Sequence, residues 1–297
     1  MILNVSGRCD IVAFYASWFM NRYRIGYVDV RNPFYRNMVS RINFEDVELI
    51  VFCTKNPLPI IGYLDEIKIP ILFHVTLNQY KREIEPNVID KRKIIEGIKE
   101  ISLKLGKDKV FLRYDPIFLS EDYTVDYHIK AFSRVCKLLE GYVSNIIISF
   151  IDDYKNVRKN QGILRARKFE DKDFEEIGNN FFEIASNHGM TVQTCSEDRR
   201  LLEYGFVNRD CVSKELASSI IGRNNFKRWK ARGKDSCHCV EMVDIGVYNS
   251  CQHRCKYCYA NYDEGLIDSN FRNHHDDSSL LVGYLESDDV TKERKKF

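Results

Sequence analysis

The chain has 297 residues, 44% hydrophobic and 30% charged, with 45 Lys and Arg against 43 Asp and Glu. That length admits one large α/β barrel as readily as two modest domains, and a formal net charge of +2 gives no bulk electrostatic case for a polyanionic partner. No signal-like apolar run opens the chain and none later approaches the roughly 18 uninterrupted apolar residues of a membrane span, so a soluble, cytoplasmic protein without membrane association is expected.

Strand and helix patterns alternate from the start. Ile2 to Val5 predicts a strand stopping in Ser6-Gly7-Arg8-Cys9-Asp10, and Val12 to Tyr23 a helix. Leu49 to Phe52 runs into Cys53-Thr54-Lys55-Asn56, before a helix over Pro57 to Glu66. Ile69 to Val75 ends near Thr76 and Asn78, ahead of a helix over Lys91 to Leu105. Val110 to Leu112 stops at Arg113-Tyr114-Asp115-Pro116, before a helix over Val125 to Leu139. Asn145 to Ile148 stops at Ser149-Phe150-Ile151-Asp152, before a helix over Asp171 to Asn187. Thr191 to Gln193 and Met242 to Tyr248 complete the strands, the last running into Asn249-Ser250-Cys251.

Strands that are apolar on both faces and joined by helices predict a parallel sheet with right-handed crossovers, and seven of them predict a full or partial (β/α) barrel of the TIM-barrel kind. A doubly wound sheet is the runner-up, disfavoured because no glycine-rich phosphate loop follows the first strand. The expected organisation is a barrel core over 1–198, a basic helical insertion or subdomain over 199–236, the last strand with a cysteine-rich loop over 237–262, and a polar, solvated extension over 263–297. In such a barrel the loops after the strands form the active face, and the polar clusters above all fall there.

Ten cysteines in a reducing compartment point to metal before disulfides. Cys251-Gln252-His253-Arg254-Cys255-Lys256-Tyr257-Cys258 presents three thiolates at spacings of four and three. Three protein thiolates suit a 4Fe-4S cluster, because the fourth iron is then left to a substrate or cofactor. The competing reading is a closed zinc site completed by His253 or a distant cysteine. Cys195, Cys211, Cys237 and Cys239 make a further set of four, either a second 4Fe-4S cluster, a structural zinc site or unliganded thiols. Cys136 reads as core, and Cys9 and Cys53 as small buried residues at neighbouring strand ends.

The cysteine spacing, with an aromatic before the third, resembles the radical S-adenosylmethionine (radical SAM) superfamily. The resemblance implies that Cys251, Cys255 and Cys258 hold the cluster, that Tyr257 lies near the adenine, and that the cluster reductively cleaves S-adenosylmethionine to a 5'-deoxyadenosyl radical that abstracts hydrogen from a substrate. It also implies an electron donor such as a flavodoxin or ferredoxin. The loop follows the last strand rather than the first, so the order looks permuted; in a ring of strands Val243 to Tyr248 can lie beside Ile2 to Val5 and return the loop to the same face. Ser6, Gly7 and Arg8 stand in for the missing glycine-rich binder of the methionine amine.

A second resemblance spans nearly the whole chain. Ala13-Phe14-Tyr15 with Trp18 to Arg22, Arg31-Asn32-Pro33-Phe34, Thr54-Lys55-Asn56-Pro57, Arg113-Tyr114-Asp115-Pro116-Ile117, Asp244-Ile245-Gly246 and Cys258-Tyr259-Ala260-Asn261 are similar to the DUF1848 family, a bacterial family of unknown function distantly related to spore photoproduct lyase. Where that family usually shows threonine and tryptophan, Cys9 and Cys53 stand here. No catalytic residue is assigned. Arg8, Asp10, Lys55, Asn56, Arg113, Asp115 and Ser149 are expected to line the barrel mouth and hold cofactor and substrate. Arg113 or Lys55 would meet the methionyl carboxylate, and Asp115 or Asp152 the ribose. Tyr15, Trp18 and His74 read equally as core or pocket. The alternative function is a zinc-stabilised nucleic-acid-binding or repair-associated protein using Lys227 to Arg232, with Phe226 and Trp229 for stacking.

Overall fold

A computed structural model describes the chain except residues 195–198, 208, 224–238 and 296–297, and the side chains of 199 and 200. Ten strands and ten α-helices occur among the described residues. The strands are β1 (Ile2–Val5), β2 (Tyr27–Arg31), β3 (Met38–Asn43), β4 (Leu49–Thr54), β5 (Ile71–Thr76), β6 (Val110–Ile117), β7 (Asn145–Phe150), β8 (Thr191–Thr194), β9 (Met242–Asp244) and β10 (Val290–Glu293). The helices are α1 (Ile11–Phe14), α2 (Ala16–Ile25), α3 (Leu58–Ile61), α4 (Lys91–Leu105), α5 (Val125–Leu139), α6 (Lys155–Lys159), α7 (Gln161–Leu164), α8 (Asp171–Asn187), α9 (Lys214–Ile221) and α10 (Glu264–Arg272). None is long and apolar enough to cross a membrane.

Seven strands form one parallel sheet in the order β8-β7-β6-β5-β4-β1-β9. From β1 the strands β4 to β8 are added one beside the next in one direction, and β9 is added on the other side of β1, so β8 and β9 are the edges. This parallel α/β order is consistent with a partial barrel or with a Rossmann-like sheet. The last strand returns to the first: Ile2, Leu3 and Asn4 face Met242, Val243 and Asp244 in parallel register. The juxtaposition expected for the permuted loop is therefore present, although the strand stops at Asp244 rather than Tyr248.

Side chains two apart on a strand share a face, and here the two faces differ in chemistry. Leu3, Val5, Ile50, Phe52, Phe73, Val75, Leu112 and Ile148 point into one large core with the apolar stripes of α4, α5 and α8. On the other face, Ile2, Leu49, Leu72, Phe111 and Ile147 begin the strands as an apolar floor, covered by Cys211, Val212, Ala217, Cys239 and Val240. Two to four residues further along, the same face carries Asn4, Cys53, His74, Thr76, Arg113, Asp115, Ser149 and Asp244. The described part of the 199–236 segment is thus a cover over the apolar end of the sheet's inner face, through α9 and the Cys211–Val212 turn.

Two local expectations are corrected, and one pair of strands stands where nothing was expected. The helix expected over Val12 to Tyr23 breaks at Tyr15, whose φ and ψ of −136° and 26° are not helical and whose buried hydroxyl donates to Ser250 O at 2.6 Å. The region before Leu49 holds the antiparallel pair β2 and β3, whose buried Asp29 is matched across the strands by Arg41 at 2.8 and 2.9 Å. The described part of the 263–297 segment, up to residue 295, is folded: α10 follows the cysteine loop, Trp18 Nε1 donates to Ser278 O at 2.8 Å, Leu280 and Leu281 are buried, and β10 pairs in parallel with β3. Its few apolar residues are too sparse to show a period, but they suffice to anchor it.

Candidate functional site

The polar half of the inner face opens into a cavity of about 930 Å³ at the C-terminal ends of the strands. Of the residues expected at the mouth, Ser6, Gly7, Arg8, Asp10, Lys55, Arg113, Asp115, Ser149 and Asp152 line it, and so does His74. Cys251, Cys255, Tyr257 and Cys258 line it too, brought there by β9. Asn56 does not. Its Oδ1 accepts from Leu58 N at 3.3 Å, at the start of α3. Trp18 and Tyr15 are core.

The cysteine loop is held from several sides by side-chain amides and carboxylates. Asn261 Oδ1 accepts from Cys251 N at 2.9 Å. Asn156, on α6, donates to the carbonyls of Cys258 and Asn261 at 2.9 and 3.0 Å, and Asn160 donates to Lys256 O at 2.8 Å. Asn249 and Arg254 take left-handed φ values of 55° and 54°, which lets the loop turn tightly. His253 is locked beneath, its Nε2 2.9 Å from Asp10 Oδ2 and its Nδ1 3.4 Å from Asn87 O. Both ring nitrogens are engaged, so the nearest candidate for a fourth zinc ligand is occupied.

Two of the three sulfurs, those of Cys251 and Cys258, receive N–H donors. The His253 backbone serves Cys251; the Ala260 and Asn261 backbones, with Asn261 Nδ2 at 3.5 Å, serve Cys258. As thiols they are held above the ordinary cysteine range, Cys251 first by its hydrogen bond with Cys9 and then by burial, Cys255 and Cys258 chiefly by burial. N–H donation to sulfur and the neighbouring Lys55 act in the opposite sense and favour the thiolate that a metal requires. Among the described residues no three His, Cys, Asp or Glu side chains form a ready site for a single ion. A cubane spreads three thiolates over three irons, and this donor set fits that group.

Behind Tyr257 lies a charged triad that the sequence reading missed. Glu85, 1% exposed, receives Lys55 Nζ at 2.9 Å, Lys91 Nζ and the Tyr257 hydroxyl. Burial alone would raise the Glu85 carboxyl, but the two ammonium groups outweigh it and hold its pKa below the ordinary value. Asn78 Nδ2 reaches Tyr257 OH at 3.3 Å and Asp115 O at 2.6 Å. Lys55 and Arg113, the two cations expected to meet a ligand carboxylate, therefore already carry Glu85 and Asp115 as partners.

A family model described as Domain of unknown function (DUF1848) matches residues 2–260. The chain belongs to that family. Several of the stretches that carry the DUF1848 likeness meet at the cavity: Arg31 to Phe34 at its rim, Thr54 and Lys55, Arg113 with Asp115, Asp244, and Cys258 to Asn261. Among curated proteins none matches. Among solved structures, a protein from Bacteroides thetaiotaomicron VPI-5482 provisionally assigned as an alpha-L-fucosidase is 11% identical over 75% of this chain and 80% of that one, with a TM-score of 0.27. A likeness that low carries no argument.

Asp244 and Gly246 of the DUF1848 chain join its two ends. The Asp244 carboxylate accepts from Gly7 N at 2.8 Å and Gly246 N at 2.7 Å, and Arg8 donates to Asp244 O at 2.8 Å. A Cβ on Gly246 would stand 1.9 Å from Ser6 Oγ, so only glycine fits beside β1. Deeper in the cavity, His74 is held neutral: burial first, then Arg113, push its pKa down to about 3. Its Nε2 has no hydrogen-bond partner among the described residues. Cys211 and Cys239 lie on the cavity floor, whereas Cys195 and Cys237 fall outside the described residues, as does the Lys227 to Arg232 stretch.

Proposed function

We propose that this chain is an iron-sulfur enzyme of the radical SAM type, built on a permuted partial barrel. The observation that carries the proposal is the parallel register of β9 on β1. It brings three cysteines from the far end of the sequence to the rim of the cavity lined by Ser6 to Asp10, Lys55, Arg113, Asp115 and Ser149.

In this reading Cys251, Cys255 and Cys258 hold a 4Fe-4S cluster. Bound there, such a cluster would supply, once reduced, the single electron that reductive cleavage of S-adenosylmethionine requires. The chain's own residues bind and orient. Tyr257, fixed by Glu85 and Asn78, presents its ring to the cavity as a wall for a planar base. Arg8 and the Ser6–Gly7 turn stand at the end of β1 beside the cysteine loop, where charged ends of a zwitterion find a cation, hydroxyl and backbone donors. Arg113 with Asp115 and Ser149 form a polar wall on β6 and β7, and His74 offers a buried acceptor beyond them. The apolar floor keeps water from the deep end.

The test is anaerobic reconstitution with iron and sulfide, reduction, and addition of S-adenosylmethionine. 5'-Deoxyadenosine is expected from the wild type and not from Cys255→Ala. A verified cluster that yields no nucleoside above that variant's background would remove the radical reading.

A further inference from the structure

The cavity is polar beside the cysteine loop and apolar at its deep end, where Val51, Cys211, Val212, Cys239, Val240 and Met242 line it. His74 stands where the two meet, across from Cys53 on β4, its ring centre 5.4 Å from that of Phe111 on β6. It is 2% exposed, and the Cys211 backbone carbonyl accepts from its ring, while Nε2 has no partner among the described residues. The bonded nitrogen is therefore Nδ1, which carries the proton, and Nε2 keeps a lone pair. Buried polar atoms are rarely left without a partner, so an acceptor held in this state at a cavity wall is a place for a donor that arrives with a ligand.

Resting on the reading of this cavity as a substrate site, we propose that its deep end receives an uncharged, largely apolar part of a small-molecule substrate. That part carries one O–H or N–H, and His74 Nε2 accepts from it. The neighbouring charges are answered within the protein. Arg113 Nε donates to Asp115 Oδ2 at 3.0 Å, and Ser149 Oγ to the same oxygen at 3.4 Å. The Asp244 carboxylate takes Gly7 N and Gly246 N, with Arg8 Nε at 3.5 Å. Cys53 is held as a thiol, its pKa pushed up to about 12 chiefly by burial, and its Sγ donates to Asn4 Oδ1 at 3.4 Å. A carboxylate or ammonium pushed to this depth would lose its hydration and meet, among the described residues, only charges already matched. A hydroxyl or amide N–H finds an acceptor there, and its apolar body finds the floor.

The probes are phenol, toluene and benzoate, which share a ring and differ in the group that would meet His74. Nitrogen-15 spectra of the purified chain, labelled at histidine, follow Nε2 directly, the resonance being assigned by its loss in His74→Phe. Phenol is expected to move that resonance and to bind about ten-fold more tightly than toluene, the worth of one hydrogen bond to a buried acceptor. Benzoate should not displace it. His74→Phe keeps a ring and removes the acceptor, so it should bind phenol and toluene alike. The tautomer and the phenol-to-toluene ratio are read in the wild type itself, so they stand even if the buried substitution unfolds the chain. Toluene bound as tightly as phenol, benzoate bound in place of phenol, or a His74 resonance that phenol leaves unmoved would each overturn the proposal. None of these titrations needs a cluster. Phenol recognised by a chain that yields no 5'-deoxyadenosine would keep the subsite and remove the radical reading, and a chain that cleaves S-adenosylmethionine but ignores phenol would do the reverse.

Discussion

Asp10 and His253, 243 residues apart, meet at 2.9 Å beneath the cysteine loop. The same carboxylate accepts from Ala13 N at 2.9 Å, capping α1, and from Lys55 N at 2.7 Å, at the end of β4. One buried side chain thus ties the first strand's loop, the third strand of the central sheet by position and the cysteine loop into a single frame.

Removing that acceptor strands three donors at once. Asp10→Ala is expected to cost about 3 kcal/mol, since an unsatisfied buried donor costs roughly 1–3 kcal/mol and the site can relax in part. Asp10→Asn retains one oxygen and should cost less. Urea unfolding of the chain as purified measures the order, and iron retained after desalting should follow it. An alanine variant as stable as the wild type would mean that Asp10 organises nothing.

Gly246 offers a sharper steric test. Gly246→Ala places a methyl group 1.9 Å from Ser6 Oγ and 3.1 Å from Cys9 N, so the Ser6 side chain must turn away and the backbone beside it must give. Overpacking of this kind costs about 1–3 kcal/mol. Adding Ser6→Ala removes the closest clash and should recover part of the loss, so the two substitutions should couple in a double-mutant cycle. Strict additivity in thermal or urea unfolding would rule out the contact as the cause.

The strands of the parallel sheet were legible because their residues are apolar on both faces and end in polar clusters, and α4, α5 and α8 because their apolar stripes are regular and capped by Asp90, Thr124 and the Glu170–Asp173 box. The hairpin β2–β3 was not, because it hides a charged pair, Asp29 with Arg41, where a strand pattern would show apolar residues. The site was legible through cysteine spacing and through strand-end position. Glu85, Asn78, Asn156 and Asn261 were not, because each acts through long-range contacts that no local pattern announces. The acidic residue in Asp244-Ile245-Gly246 was visible as a motif, but its meaning required knowing that β9 lies beside β1.

His128 gives the stability a pH dependence of definite sign. It is 1% exposed, with Tyr114 OH donating to Nδ1 at 3.0 Å and Nε2 donating to Phe118 O at 2.9 Å. Burial pushes its pKa from 6.5 down to about 4, against the pull of the Phe118 carbonyl. Between those values the unfolded chain binds the proton and the folded one does not. Stability is therefore full above about pH 6.5 and falls as pH drops toward about 4, by about 3 kcal/mol for this residue. His74, held lower still, adds a slope of the same sign. Denaturant midpoints across that range should fall with pH, and His128→Gln should flatten the fall without abolishing it. Equal slopes in the two chains would show that His128 accepts a proton in the folded state.

Cys9 decides how many thiolates a cluster held by the cysteine loop would have. Its sulfur hydrogen-bonds that of Cys251, both line the cavity, and Tyr15 packs near both. Four thiolates would saturate a cubane and leave no iron for S-adenosylmethionine, whereas three leave one. If Cys9 is only a neighbour that donates to a ligand, Cys9→Ala should assemble the same iron and sulfide as the wild type. S-Adenosylmethionine should still shift the electron paramagnetic resonance signal of its reduced cluster, and the loss of one S–H donor should move only the potential. Cys251→Ala should lose the cluster. The opposite pattern, a wild type whose signal ignores S-adenosylmethionine and a Cys9→Ala chain whose signal responds, would make Cys9 the fourth ligand and the wild-type cluster a closed electron carrier.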